Sequence, residues 1–156
     1  MVANCIKHRR NKLLKCFMKI EDSVSYLLAK LTVSHRNLIE KFVTDVGLHS
    51  GQVFVMMELW KKDGQRQIDL AEKLNLAPPT VNKILGGLLE ADFVKRERFE
   101  DDARSTRIFL TDKGNEIKDD LESKWAELEE QTVMGMTATE ALILKQLLAK
   151  MMGADI

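Results

Sequence analysis

Residues 66–89 read RQIDLAEKLNLAPPTVNKILGGLL, and the reading of this stretch decides the fold. Its first part carries Ile68, Leu70, Ala71 and Leu74 at helical rather than alternating spacing. Asn75-Leu76-Ala77 follows as a tight turn, because Asn enters the left-handed backbone region more readily than most residues. Pro78-Pro79 opens a second helix, where a missing N–H costs no intrahelical hydrogen bond. Val81, Ile84, Leu85, Leu88 and Leu89 then form an apolar stripe at intervals of three and four. Small Ala71 suits the crossing of the two helices, and Leu76, Val81 and Ile84 close the core between them. The pattern predicts a helix-turn-helix whose second helix leaves Pro79, Thr80, Asn82 and Lys83 facing outward.

Short polar and cationic side chains near the N-terminus of such a helix suit the DNA major groove. Asn pairs bidentately with adenine, Thr bonds base or phosphate, and Lys reaches guanine or the backbone. A plain helical hairpin with a solvated face has the same periodicity, so the flanking sequence must decide. After a turn at Ala91-Asp92 the period changes to that of a strand over 93–98, Phe-Val-Lys-Arg-Glu-Arg. A charged loop over 99–105 and a return strand over 106–110 follow. Two strands joined by a charged loop directly behind a recognition helix are a wing. Its arginines, Arg98 and Arg107 among them, suit phosphates or the negative potential of a minor groove.

The remaining chain is helical by pattern, so the fold class is mainly α, an α+β winged helix. Asp22 or Ser23 caps a long helix whose apolar residues recur from Val24 to Val46, until Gly47 stops it. Ser50 is the expected cap of the next helix, whose Val53, Phe54, Met56, Met57, Leu59 and Trp60 predict burial nearly all round. Asp63-Gly64 ends it. Thr111 or Asp112 caps a further long helix with Ile117, Leu121, Trp125, Leu128, Val133 and Met134 as its apolar positions. Thr137 and Glu140 have the spacing of a capping box before a closing helix that runs through Leu142, Ile143, Leu144, Leu147, Leu148, Met151 and Met152.

With 156 residues, 45% hydrophobic and 31% charged, the chain suits one globular domain. No apolar run approaches the roughly 20 residues of a membrane span, and Lys12, Lys15 and Lys19 interrupt any secretory apolar core. A cytoplasmic location is expected. The 24 Lys and Arg balance 24 Asp and Glu, yet the charges are segregated. Lys7, Arg9, Arg10, Lys12, Lys15 and Lys19 lie in a stretch with no acids, whereas residues 112–130 are strongly acidic. Local distribution rather than net charge sets the field that DNA meets. Residues 1–20 are a basic extension, read as an extra helix, an arm that touches DNA phosphates or a disordered tail, and Met18 is an alternative start. Cys5 and Cys16 have no companion ligands for zinc, and no metal or cofactor is expected.

Over about residues 22–152 the chain resembles the multiple-antibiotic-resistance regulator (MarR) family of winged-helix repressors. The most specific part is the wing, Asp102-Ala103-Arg104-Ser105-Thr106-Arg107-Ile108-Phe109-Leu110-Thr111, followed by Asp112-Lys113-Gly114. The resemblance implies that Arg104 enters the minor groove and that Asp102 orients it by an ion pair. Ala103 stands where many members carry a second Arg, which removes one contact. The resemblance also implies a homodimer formed through residues 21–47 and 112–152, with 50–111 as the DNA-binding lobe. Such a dimer reads a pseudo-palindromic operator in double-stranded DNA, half-sites about one helical turn apart. A small aromatic or amphipathic effector is implied in a crevice whose candidates are His35, Arg36, Met56, Trp60 and Trp125, each with an alternative role in core or solvated surface. Relatives that sense peroxide use a cysteine in the first long helix. Ser25 holds the matching stretch here, so Cys16 is read as a tail cysteine.

Nothing in the chain has the form of a phosphate loop, a zinc ligand set or a nucleophile elbow, so an enzyme is not expected. The rival reading is a winged helix that binds protein without specific DNA binding. Asn82, Lys83, Arg98, Arg104 and Arg107 favour DNA, while Glu97, Glu100 and Asp101 dilute the charge of the wing.

Overall fold

Ser23 starts the first long helix as its type predicts, its hydroxyl accepting the Tyr26 N–H at 3.2 Å. This helix, α1, runs Val24–Val43 and passes through a 3-10 turn at Thr44–Val46 into Gly47, whose φ of 78° turns the chain away. The computed structural model describes residues 19–99 and 102–153; the side chains of Phe99 and of residues 102–105 lie outside that description. Most of the basic extension, with both cysteines, lies outside it as well.

The next helix, α2 (Ser50–Lys61), is capped differently from the expectation: His49 is the N-cap and Ser50 is already helical. A carboxylate from another helix does the work expected of the Ser50 hydroxyl. Glu40 Oε2 accepts the Ser50 N–H at 2.7 Å, and Oε1 lies 2.6 Å from His49 Nδ1. Gln52 Oε1 accepts the His49 N–H at 2.8 Å. First the Ser50 N–H and then the His49 ring hold the Glu40 carboxyl down from 4.5 to about 2. A carboxyl depressed on folding contributes stability above its unfolded value and loses it as pH falls through the folded one. Wild type should therefore be more stable than Glu40→Gln at about pH 6, and the gap should close between pH 4.5 and pH 2. Thermal unfolding across that range checks this, and a gap independent of pH would refute it.

Asp63 Oδ1 then accepts both the Gly64 and Leu110 N–H groups, tying the end of α2 to the wing. The two residues β1 (Gln65–Arg66) pair with Ile108 and Arg107 and give the wing a third strand, too short to show alternation in sequence. The helix-turn-helix is α3 (Gln67–Lys73) and α4 (Pro78–Glu90), with Asn75 left-handed at φ 50° between them. Leu70, Ala71, Val81, Leu85 and Leu88 are buried as their spacing predicts. Ile68 is not: it is 48% exposed, because residues two apart do not share a helix face and the core takes the Leu70 side.

Asp92, at φ 59°, turns the chain into β2 (Val94–Phe99), which pairs with β3 (Asp102–Leu110) in an antiparallel sheet of order β1-β3-β2. The return strand begins at Asp102 rather than at Thr106, so the expected loop is largely strand. Backbone pairing extends the hairpin past Arg98↔Thr106 through a register shift to Phe99↔Asp102, and ladder hydrogen bonds join main-chain groups whatever the side chains they carry.

Thr111 caps α5 (Asp112–Thr132), its hydroxyl accepting the Gly114 N–H at 3.0 Å. The capping box of α6 (Ala138–Met151) is present, with Glu140 accepting the Thr137 N–H at 2.8 Å. The chain divides into two compact units, residues 1–37 and 38–156. In the second, α2 supplies Val53, Val55, Met56 and Leu59 to a core shared with α3, α4, the sheet, and Leu121 and Leu128 of α5. Burial of α2 is one-sided, since Phe54 is 45% exposed and Met57 is exposed too. Among the described residues no helix is long and apolar enough to cross a membrane.

Candidate nucleic-acid interface

The front of α4 is exposed because its back is fully committed. Val81, Leu85 and Leu88 are completely buried, which fixes the rotation of the helix about its axis. Pro79, Thr80, Asn82 and Lys83 consequently stand in solvent, as their spacing predicts. Leu76 N–H, donated to Ala71 O at 2.9 Å, closes the turn that sets α4 against α3.

The wing does not bring all its candidate arginines together. Directly paired residues share a sheet face and successive residues alternate. Arg98 pairs with Thr106 and falls on the face of Val94, Leu110 and Ile108, whereas Arg107 pairs with Glu97 and falls on the opposite one. Both are exposed, but Arg107 Nη1 also donates to Gly64 O at 3.5 Å. On the Arg107 face, Lys95 pairs with Glu97 at 2.9 Å, and that carboxylate raises the Lys95 pKa. At the start of α3, Arg66 grips Asp69 with two hydrogen bonds of 2.9 and 2.6 Å, and Arg66 holds the Asp69 carboxyl below its ordinary value. The side chains of Asp102 and Arg104 lie outside the described residues.

The effector candidates divide. Met56 is wholly buried core. His35, half-buried, and Arg36, exposed, belong to the first unit. Trp60 and Trp125 meet across a cleft of about 350 Å³ between α2 and α5, lined also by Met57, Lys61, Lys118, Leu121 and Glu122. Trp60 Nε1 donates to Gly114 O at 3.1 Å, and Trp125 stands edge-on to Phe54, centroids 6.3 Å apart. Lys61 pairs with Glu58 and Lys118 with Glu122, so the cleft offers aromatic walls and a charge-balanced rim. Met57 and Leu121 were absent from the sequence-based set. Their spacings of three from Trp60 and four from Trp125 were the available signal.

A helix-turn-helix with its second helix presented outward and a three-stranded wing behind it defines a winged-helix transcriptional regulator. The family model described as transcriptional regulator SarA/Rot matches residues 37–121, and the chain belongs to that family. Its fold is of the MarR type. A MarR transcriptional regulator from Methanosarcina mazei Go1 superposes with a TM-score of 0.74 at 26% identity, over 83% of this chain and 94% of that one. The Staphylococcus aureus MepR–DNA complex matches with a TM-score of 0.73 at 24% identity, over 84% of this chain and 97% of that one. In sequence, the HTH-type transcriptional regulator TtmR of Methylorubrum extorquens (strain PA1) is 33% identical over 86 residues, 55% of this chain. The match spans 42% of the length of TtmR.

Proposed function

We propose that this regulator binds a pseudo-palindromic operator in double-stranded DNA as a cytoplasmic homodimer and acts as a repressor by occupying a promoter. The observation that carries the reading is the outward face of α4, where Pro79, Thr80, Asn82 and Lys83 are exposed above a fully buried back. MepR, of the same fold, was solved on DNA. Arg98 and Arg104 supply the wing contacts in this reading, and Asp102 orients Arg104. The homodimer reading is supported by α6, whose Leu142, Ile143, Leu147 and Met151 are all exposed although helical spacing would allow a buried face. Residues 24–37 of α1 likewise expose Val24, Leu27 and Leu31.

The cleft between Trp60 and Trp125 suits a small aromatic or amphipathic effector. A ligand that fits a dimer with wrongly spaced recognition helices releases DNA by its differential affinity for the two states. Selection of bound duplexes from a random library at near-physiological salt tests the whole reading. An enriched inverted repeat is expected, and aromatic acids titrated into the selected complex should release it. Absence of any enriched sequence would turn the reading to a winged helix that binds protein. Enrichment without release would remove the effector alone.

A further inference from the structure

Two adjacent glycines, Gly86 and Gly87, lie inside α4, where glycine is the poorest helix former after proline. The fold accounts for one of them. A Cβ on Gly87 would stand 2.7 Å from Gln52 Nε2, the amide whose oxygen holds the His49 N–H at the start of α2. Gly86 is different. Apart from its chain neighbours and the backbone of its own helix, a Cβ there meets no atom of the described residues within 4 Å, and its backbone is ordinary helix. Gly135 and Gly153 are equally open, but their φ angles of 85° and 75° require glycine on their own account. No such requirement holds at Gly86.

Its place on the helix is informative. Gly86 is seven residues after Pro79, four after Asn82 and three after Lys83, so it shares their face. It lies about 6 Å further along the axis than Asn82, roughly one turn into the helix. The missing side chain is therefore on the face offered to DNA, at the point where a groove-bound helix passes from base edges toward the groove wall.

We propose that Gly86 is a close-approach position, at which duplex DNA rests against the backbone of α4 and the absent Cβ lets the helix seat deeply enough for Asn82 and Lys83 to reach base edges. This rests on the DNA-binding reading above and assigns it a depth-setting residue. A methyl group at Gly86 lifts the helix from the groove and lengthens the hydrogen bonds of Asn82 and Lys83, while leaving the fold undisturbed. Stability and binding should thus move in opposite directions.

The test uses the full chain and a duplex selected from a random library by the wild-type protein. Gly86→Ala should melt at the same temperature as wild type or higher, yet bind that duplex about tenfold or more weakly, the loss expected when one bidentate base contact is broken. Gly86→Leu should bind more weakly still. Gly87→Ala, which meets Gln52, should instead lower the melting temperature and so show what a packing defect looks like. Gly86→Ala that binds the selected duplex within about twofold of wild type overturns the close-approach role while leaving DNA binding intact. Failure of the wild type to select any duplex overturns both, and is a distinct result.

Discussion

Gly114→Ala should destabilise the protein by about 3 kcal/mol or more and lower its melting temperature by roughly 10 °C. A Cβ at Gly114 would fall 2.0 Å from Phe93 O and 3.0 Å from Phe93 C, and both atoms are backbone. That carbonyl cannot swing aside as a side chain would, since it accepts the Thr111 N–H at 3.1 Å. The methyl group must therefore push the first turn of α5 away from the turn after α4. Two contacts depend on the same approach. Thr111 Oγ1 accepts the Gly114 N–H, and Trp60 Nε1 donates to Gly114 O across to α2. Loss of the second should also shift the emission of Trp60, so thermal unfolding and fluorescence report together. A variant melting within about 2 °C of wild type would show that α5 can retreat at little cost.

On the selected duplex, Asn82→Ala should cost about 1–3 kcal/mol and relax the preference at one base pair, because an amide pairing with adenine reads sequence directly. Lys83→Ala, if its ammonium meets phosphate, should weaken all duplexes alike and reduce the salt slope by about one. Arg104→Ala should cost about 1–3 kcal/mol if Arg104 enters the minor groove as proposed. Each substitution is measured at fixed salt and then across a salt series. Asn82 and Lys83 are exposed, so neither change should disturb folding. Unchanged affinity for both α4 variants would remove this helix from the interface, and unchanged affinity for Arg104→Ala would remove the wing tip.

Much of this architecture was legible because local rules and tertiary needs agree. Leu70, Ala71, Val81, Leu85 and Leu88 recur at helical spacing and are buried, Asn75 is left-handed where the turn needs it, and Thr137 with Glu140 forms its box. The outward face of α4 followed from that same stripe, since fixing the buried side fixes the exposed one. Where the reading departed from the structure, the cause lay in groups distant along the chain. Ser50 looked like a cap, but Glu40, ten residues earlier, supplies the acceptor. Apolarity of α2 suggested burial all round, but neighbours cover one side and leave Phe54 and Met57 open.

The sequence by itself determined the helices, the turn between α3 and α4, the presence of a two-stranded wing hairpin and the polar front of α4, because period and turn chemistry act over a few residues. Only the tertiary structure decided that Arg98 and Arg107 occupy opposite sheet faces, a matter of pairing register with Thr106 and Glu97. It alone distinguished the two glycines of α4, crowding Gly87 with Gln52 and leaving Gly86 open. Strand register and close approach depend on which atoms meet across the fold, and that information is not local to any stretch of chain.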